Sequence, residues 1–166
     1  MTLLYKRLDM EEMMKRGFEV VKEEFRKHKG VDIKLPTRGS KGSAGYDFYS
    51  TKDFLLKKGE TIMLWTDVKA CMLHDEVLLI YVRSSMGAKG LNLTNNVGVI
   101  DSTYYSNISN DGNIGMKLKN AGDEDIYVKT GDRLAQGVFS KFLVTSDDDD
   151  KTLPDRVGGY GSTNKQ

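Results

Sequence analysis

The sequence predicts an all-β protein, a jelly-roll-like β-barrel built from many short strands. Three observations carry that expectation. Ile114, Met116 and Leu118 alternate with Gly115, Lys117 and Lys119, the two-residue period of a strand with one buried face. Val77 to Val82, which reads VLLIYV, is a short continuous apolar run. Glycines at 42, 45, 59, 87, 90, 98, 112, 122 and 131 interrupt such runs at turn-like intervals. Many short strands separated by glycine turns imply a sandwich or barrel of jelly-roll type.

Residues 1–16 are an extension rich in Met, Lys and Glu, suited to packing or solubility. Met10, Met13, Met14, Phe18 and Val21 recur at helical spacing, which allows a helix over about 9–28. Phe18-Glu19-Val20-Val21 also reads as a first strand with Gly17 as its break, and the pattern alone does not decide. Thr61–Val68 is apolar and β-branched, the next strand. Ile126–Val128 and Leu134–Val144 follow in the same style. Asn110-Asp111-Gly112 is a strong hairpin signal leading into Asn113-Ile114-Gly115. The main domain is expected over 17–146. Residues 147–166 differ: Asp147–Asp150 is a like-charge linker that should be solvated and mobile. Arg156-Val-Gly-Gly-Tyr-Gly-Ser-Thr163 has too much glycine to add to a core and reads as an arm that orders over a ligand.

At 166 residues the chain is one domain with room for a proper core. A net charge of +1 gives no bulk attraction to nucleic acid or to an anionic membrane, so neither is expected as a partner. Cys71 is the single cysteine, which excludes an intrachain disulfide and a cysteine-rich zinc site. No apolar run has membrane-spanning length and the N-terminus lacks a signal-peptide pattern, so a cytoplasmic location is expected. The only histidines are His28 and His74, which makes a carboxylate the better candidate for a catalytic base.

Arg83-Ser84-Ser85-Met86-Gly87-Ala88-Lys89-Gly90 directly follows the apolar run. Its guanidinium, hydroxyls and glycines suit phosphate oxygens, although an Arg-Ser-Ser turn is more often only a turn. Gly98-Val99-Ile100-Asp101 ends an apolar strand on a carboxylate, a turn starter in most proteins and a water-activating base in some. Tyr104 could stack on a sugar or base, or simply pack. Gly131-Asp132-Arg133-Leu134-Ala135-Gln136 would alone pass as a turn entering a strand.

In order and together, these segments resemble the five motifs of the trimeric dUTPase family. They are AGYD at 44–47, RSSMGAKGL at 83–91, NNVGVIDSTYY at 95–105, GDRLAQ at 131–136 and RVGGYGST at 156–163. The resemblance implies a homotrimer with three active sites at subunit junctions, a swapped C-terminal arm, and hydrolysis of dUTP to dUMP and pyrophosphate. Carried onto matching positions, it implies that Asp101 activates water for attack on the α-phosphorus. Arg83, Ser84 and Ser85 would bind the phosphates, Ser84 near the α–β bridging oxygen, and Gln136 would add a contact. Asn95, Val99, Ile100 and the backbone around Gly115 would read the uracil edge, and Tyr104 would lie under the deoxyribose. In the arm, Arg156 would clamp the γ-phosphate and Tyr160 would stack on uracil, where the family usually has Phe. Gly161, Ser162 and Thr163 would bind phosphate. Asp47 would support the site from behind. Mg²⁺ would be held mainly by triphosphate oxygens and water, so no protein ligand is named.

The chain departs from the family pattern in three places. Its N-terminal extension is longer, and Arg16–Val21 looks like the family's first strand, against the helix there. Ser106–Asp111 lengthens the hairpin, as in Gram-positive bacterial and phage members, and offers a surface for a regulatory protein partner. Asn164 stands where a closing glycine is usual. A dCTP deaminase shares the fold but needs a glutamate in motif three and lacks such an arm, so Asp101 and Tyr160 argue against it. A non-catalytic regulator on the same fold is disfavoured because every catalytic position is intact.

Overall fold

The computed structural model describes residues 16–148, 152–153 and 158. Twelve strands carry the described fold, and every pairing among them is antiparallel. They are β1 (Gly17–Val20), β2 (Thr37–Arg38), β3 (Tyr46–Tyr49), β4 (Phe54–Leu56), β5 (Thr61–Trp65) and β6 (Val68–Cys71), followed by β7 (Glu76–Val82), β8 (Leu91–Leu93), β9 (Gly98–Asp101), β10 (Gly115–Asn120), β11 (Ile126–Val128) and β12 (Arg133–Lys141). The largest sheet has the order β2-β3-β12-β7-β9, and β5-β10-β8, β1-β6 and β11-β4 form smaller ones. This is the jelly-roll-like architecture that the patterning implied. No described helix is long and apolar enough to cross a membrane.

The strand periodicity sorts the side chains. On β10, Met116, Leu118 and Asn120 are buried while Lys117 and Lys119 are exposed. Leu78 and Ile80 of β7 point into the core with Phe48, Leu64, Leu91, Leu118 and Leu134, all at most 1% exposed. Each such side chain contributes about 1.5–3 kcal/mol by leaving water. Phe18 brings β1 to this core: its ring lies 5.4 Å from those of Tyr46 and Phe139 and 5.6 Å from Phe48.

Four boundaries differ from the expectation. The chain at Gly17–Val20 is a strand, and only a short 3-10 turn follows at Glu23–Phe25. A helix over that part of 9–28 is overturned, because Phe18 and Val20 are paired to β6; residues 9–15 lie outside the described region. The single strand over 61–68 is two, split where Asp67 takes φ 55°. The strand over 134–144 stops at Lys141, and Phe142, Leu143 and Val144 are exposed. Asp111 and Gly112 do make a tight turn, with φ 56° and 82°. The strands it joins do not pair with each other: β9 pairs with β7, and β10 with β5 and β8. The inserted residues 106–111 replace cross-strand pairing with local bonds, such as Asp111 N–H to Asn107 O at 2.9 Å.

Gly90 and Gly59 separate two costs of adding a side chain. Both have positive φ, 86° and 80°. A methyl at Gly59 meets open space, whereas one at Gly90 overlaps the Gly122 backbone. Gly59→Ala should cost about 1–2 kcal/mol of left-handed strain. Gly90→Ala should cost about 1–3 kcal/mol more, because backbone cannot move aside as a side-chain tip can. Urea denaturation of both variants at equal protein concentration measures the difference. Equal losses would contradict the packing account.

Candidate active site

Asp47, Gln136 and Tyr81 form one row across β3, β12 and β7: Asp47 is opposite Gln136, and Gln136 is opposite Tyr81. Directly opposed residues project to the same face of a sheet. That face is the one turned away from the Phe48–Leu78–Ile80 core. Asp47 is nonetheless only 5% exposed. Arg83 covers it, with Nε 2.9 Å from Oδ1, and Arg133 Nη1 lies 3.3 Å from Oδ2. Two cations share one carboxylate, so the cluster keeps a net positive charge. A methyl at Gly45 would press on Gln136 and force its carboxamide to move aside. The expected residues Asp47, Arg83 and Gln136 are therefore brought together. Arg133 is an addition that motif matching did not single out, although it lies inside GDRLAQ.

Arg83 begins a one-turn helix, α1 (Ser84–Gly87), where a plain turn was expected. Gly87 N–H donates to Arg83 O at 2.9 Å and Ala88 N–H to Ser84 O at 2.9 Å. Met86 anchors the turn in the core and leaves Ser84 and Ser85 exposed beside Arg83. A guanidinium, two hydroxyls and a carboxamide at one rim are donors suited to phosphate oxygens.

Asp101 is elsewhere. It ends β9 opposite Val77, near the start of β7, whereas Arg83 follows Val82 at its end. Five residue steps of strand lead from Val77 to Val82, about 17 Å at ~3.3 Å per residue. Between them the outward face carries the row Val138–Leu79–Val99, and Val99 is 60% exposed. Asn95 sits exposed in the turn before β9, and Ile100 packs against the core.

Tyr104 is mostly core: it is 6% exposed, and its hydroxyl donates to Asn113 O at 2.7 Å. Gly115 starts β10 opposite Trp65, whose ring a side chain at 115 would strike within 2.8 Å. β9 is the edge of its sheet, and β8 reaches only Leu118–Asn120 of β10. The strands on either side of the 110–112 turn thus keep backbone edges that no strand covers. Arg156, Tyr160, Gly161, Ser162 and Thr163 lie outside the described residues.

The insertion is tied down at its base. Lys69 Nζ donates to Asp111 Oδ2 at 3.0 Å and to Ser106 Oγ at 3.1 Å. Tyr105 donates to Glu19 Oε2 at 2.8 Å. Burial first, then that bond, pushes the Tyr105 phenol up to about 12, so it stays a proton donor and not a base. Ile108 is the large apolar side chain of the insertion that is exposed, at 81%.

The sequence profile described as dUTPase matches residues 31–163, a span holding all five motifs. The chain belongs to the dUTPase family. A deoxyuridine 5'-triphosphate nucleotidohydrolase from Lactococcus lactis is 43% identical over 149 residues, which are 89% of this chain and 97% of that protein. The crystal structure of a Streptococcus mutans dUTPase superposes with a TM-score of 0.67 at 37% identity, over 78% of this chain and 98% of its own. The dUTPase of Staphylococcus bacteriophage 80alpha has a TM-score of 0.63 at 19% identity, over 84% and 97%, and shares the fold. That work describes phage dUTPases as controlling transfer of virulence genes by a G protein-like mechanism.

Asp47 offers a test of the cluster it forms with Arg83 and Arg133. Asp47→Asn removes a negative charge, which by simple attraction would tighten anion binding. If its task is to hold Arg83 in place, affinity for a non-hydrolysable dUTP analogue should instead fall about tenfold, the worth of one charge-assisted bond. Isothermal titration calorimetry distinguishes the two, and tighter binding would contradict the orienting role.

Proposed function

We propose that the chain hydrolyses dUTP to dUMP and pyrophosphate in a homotrimer whose active sites form between subunits. The separation of Asp101 from Arg83 along β7 carries the shared site. A base must lie within hydrogen-bond reach of its water, directly or through one bridge. About 17 Å of strand prevents Asp101 from serving the phosphate that its own chain's Arg83 holds. Two copies can supply what one cannot. The Val138–Leu79–Val99 row between the two ends, half-buried at Val138 and Leu79 and exposed at Val99, is apolar surface of the kind a second copy covers.

At the phosphate end, Arg83, Ser84, Ser85 and Gln136 bind the triphosphate, with Asp47 and Arg133 holding the Arg83 head. Asp101 of a second copy takes the proton of the attacking water as its oxygen bonds to the α-phosphorus, and the α–β bridging bond breaks to release pyrophosphate. The described residues near Arg83 are donors, and Asp47 is already engaged by two arginines. That set fits Mg²⁺ carried on phosphate oxygens and water, and not on the protein. When bound, the ion offsets charge on the departing pyrophosphate.

At the nucleoside end, the uncovered backbone edges of β9 and of β10 at Gly115 read the donor and acceptor pattern of uracil, with Asn95, Val99 and Ile100 around them. Tight backbone rejects the methyl of thymine by contact. A mismatched bond in such a site costs about 1–3 kcal/mol, which separates uracil from cytosine. Tyr104 borders the deoxyribose. Arg156 takes the γ-phosphate, Tyr160 stacks on the base, and Gly161, Ser162 and Thr163 close on phosphate as the arm of a third copy. The protein works in the cytoplasm. The projecting Ile108, on a loop clamped by Lys69, is the feature a regulatory protein would grip.

Pyrophosphate release from dUTP, dTTP, dCTP and UTP tests the activity, with dUTP expected to exceed the others by orders of magnitude. Ammonia release from dCTP would instead identify a deaminase. Asp101→Asn should lower turnover at least ~10³-fold while leaving analogue binding nearly intact. Turnover within ~10-fold of the parent would remove Asp101 from its role.

A further inference from the structure

The polar core between β5, β6 and the 110–115 segment has an unusual degree of order. Asp67 is 0% exposed and takes a left-handed backbone at the corner between β5 and β6. A carboxylate away from water persists only if donors surround it. Oδ1 accepts from Lys27 N–H at 2.8 Å and from Asn113 Nδ2 at 2.8 Å. Oδ2 accepts from His28 N–H at 2.8 Å, and Arg26 Nε lies 3.9 Å away. Asn113, also 0% exposed, completes the ring. Its Oδ1 accepts from Asp67 N–H at 3.0 Å, and its Nδ2 also reaches Phe25 O at 3.3 Å. The carboxamide cannot rotate without stranding at least two buried groups.

The main chain at Asn113 does different work. Its carbonyl accepts the Tyr104 hydroxyl at 2.7 Å. The next peptide is pinned to the same corner: Ile114 N–H donates to Val68 O at 2.9 Å, and Thr66 N–H to Ile114 O at 3.0 Å. Gly115 follows at once, seated against Trp65. One buried side chain therefore fixes a backbone segment that holds Tyr104 on one side and Gly115 on the other.

We infer that Asn113, locked by Asp67, is a positioning residue that sets Tyr104 and Gly115 against each other and so controls nucleotide selection. The role rests on the dUTP-hydrolysing reading above. A purely structural Asn113 would affect stability and the amount of folded enzyme. A positioning Asn113 also affects which nucleotide is chosen, because misplacing recognition groups by a fraction of an ångström changes discrimination.

The test uses the full chain and steady-state pyrophosphate release from dUTP, dTTP and UTP. Asn113→Ala should raise KM for dUTP about tenfold with kcat per folded enzyme within about threefold. Its preference for dUTP over dTTP and UTP, as a ratio of kcat/KM, should fall about tenfold or more. Tyr104→Phe keeps the ring and removes the hydroxyl that donates to Asn113 O and accepts from Asn110 Nδ2 at 2.7 Å. It should move the same ratios in the same direction, by about threefold. Unchanged preferences in both variants would overturn the positioning role, whatever the loss of stability. If Asn113→Ala does not fold, Tyr104→Phe decides alone by the same criterion. A parent enzyme that releases no pyrophosphate from dUTP would overturn the activity and this role with it, an outcome visible before any variant is made.

Discussion

β7 is hydrogen-bonded along both sides, to β12 from Glu76 to Val82 and to β9 from Val77 to Ile80. Leu78 and Ile80 are sealed in the core beneath it. A slip of one residue would turn both to solvent and bring Val77 and Leu79 inward, so two ladders and a core hold one register. That register fixes Arg83 and Asp101 at opposite ends of a rigid strand. A flexible hinge could bring them together, but a central strand cannot. The proposal of a site shared between copies, with a phosphate end and a nucleoside end, rests on that separation.

Each end is organised by a buried carboxylate with a different duty. Asp47 gathers two arginine heads, so the carboxylate orients cations that remain free to meet phosphate on their other side. Asp67 gathers backbone N–H groups and one carboxamide, with Arg26 Nε 3.9 Å away, so it orients mainly neutral groups and stays sealed. Both use a carboxylate as a pure acceptor. The first leaves positive charge at the surface for an anionic ligand. The second is met inside the protein, with Arg26 Nε 3.9 Å from the carboxylate.

Much of this was legible in the residues. Alternation at 114–119 and the VLLIYV run identified β10 and β7, because a half-buried strand and a strand paired on both sides leave distinct patterns. The motifs pointed to Asp47, Arg83, Gln136 and Asp101; the structure gathers the first three and sets Asp101 at the other end of β7. Other features were not legible. The break at Asp67 was hidden because a left-handed aspartate inside a β-branched stretch looks like strand. The 110–112 turn announced a hairpin, but a turn does not specify whether the strands beyond it pair with each other. Arg133 and Asn113 matter through partners 86 and 46 residues away, and no local pattern records such contacts. The helical spacing of Met10 to Val21 misled because Phe18 and Val20 pair with β6, and tertiary pairing overrides local periodicity.

The central claim is that Asp101 and Arg83 of one chain never serve the same catalytic event. Two full-length variants, Asp101→Asn and Arg83→Ala, each remove one half of the site. Alone, each should be nearly inactive. After the two are unfolded, mixed and refolded together, a junction between an Asp101→Asn chain that donates Arg83 and an Arg83→Ala chain that donates Asp101 is complete. The account predicts that the mixture regains a substantial minority of parental dUTP turnover, in parallel with mixed trimers counted by native mass spectrometry. Mixed trimers without recovered turnover would show that both residues of a site come from one chain, and would contradict the account.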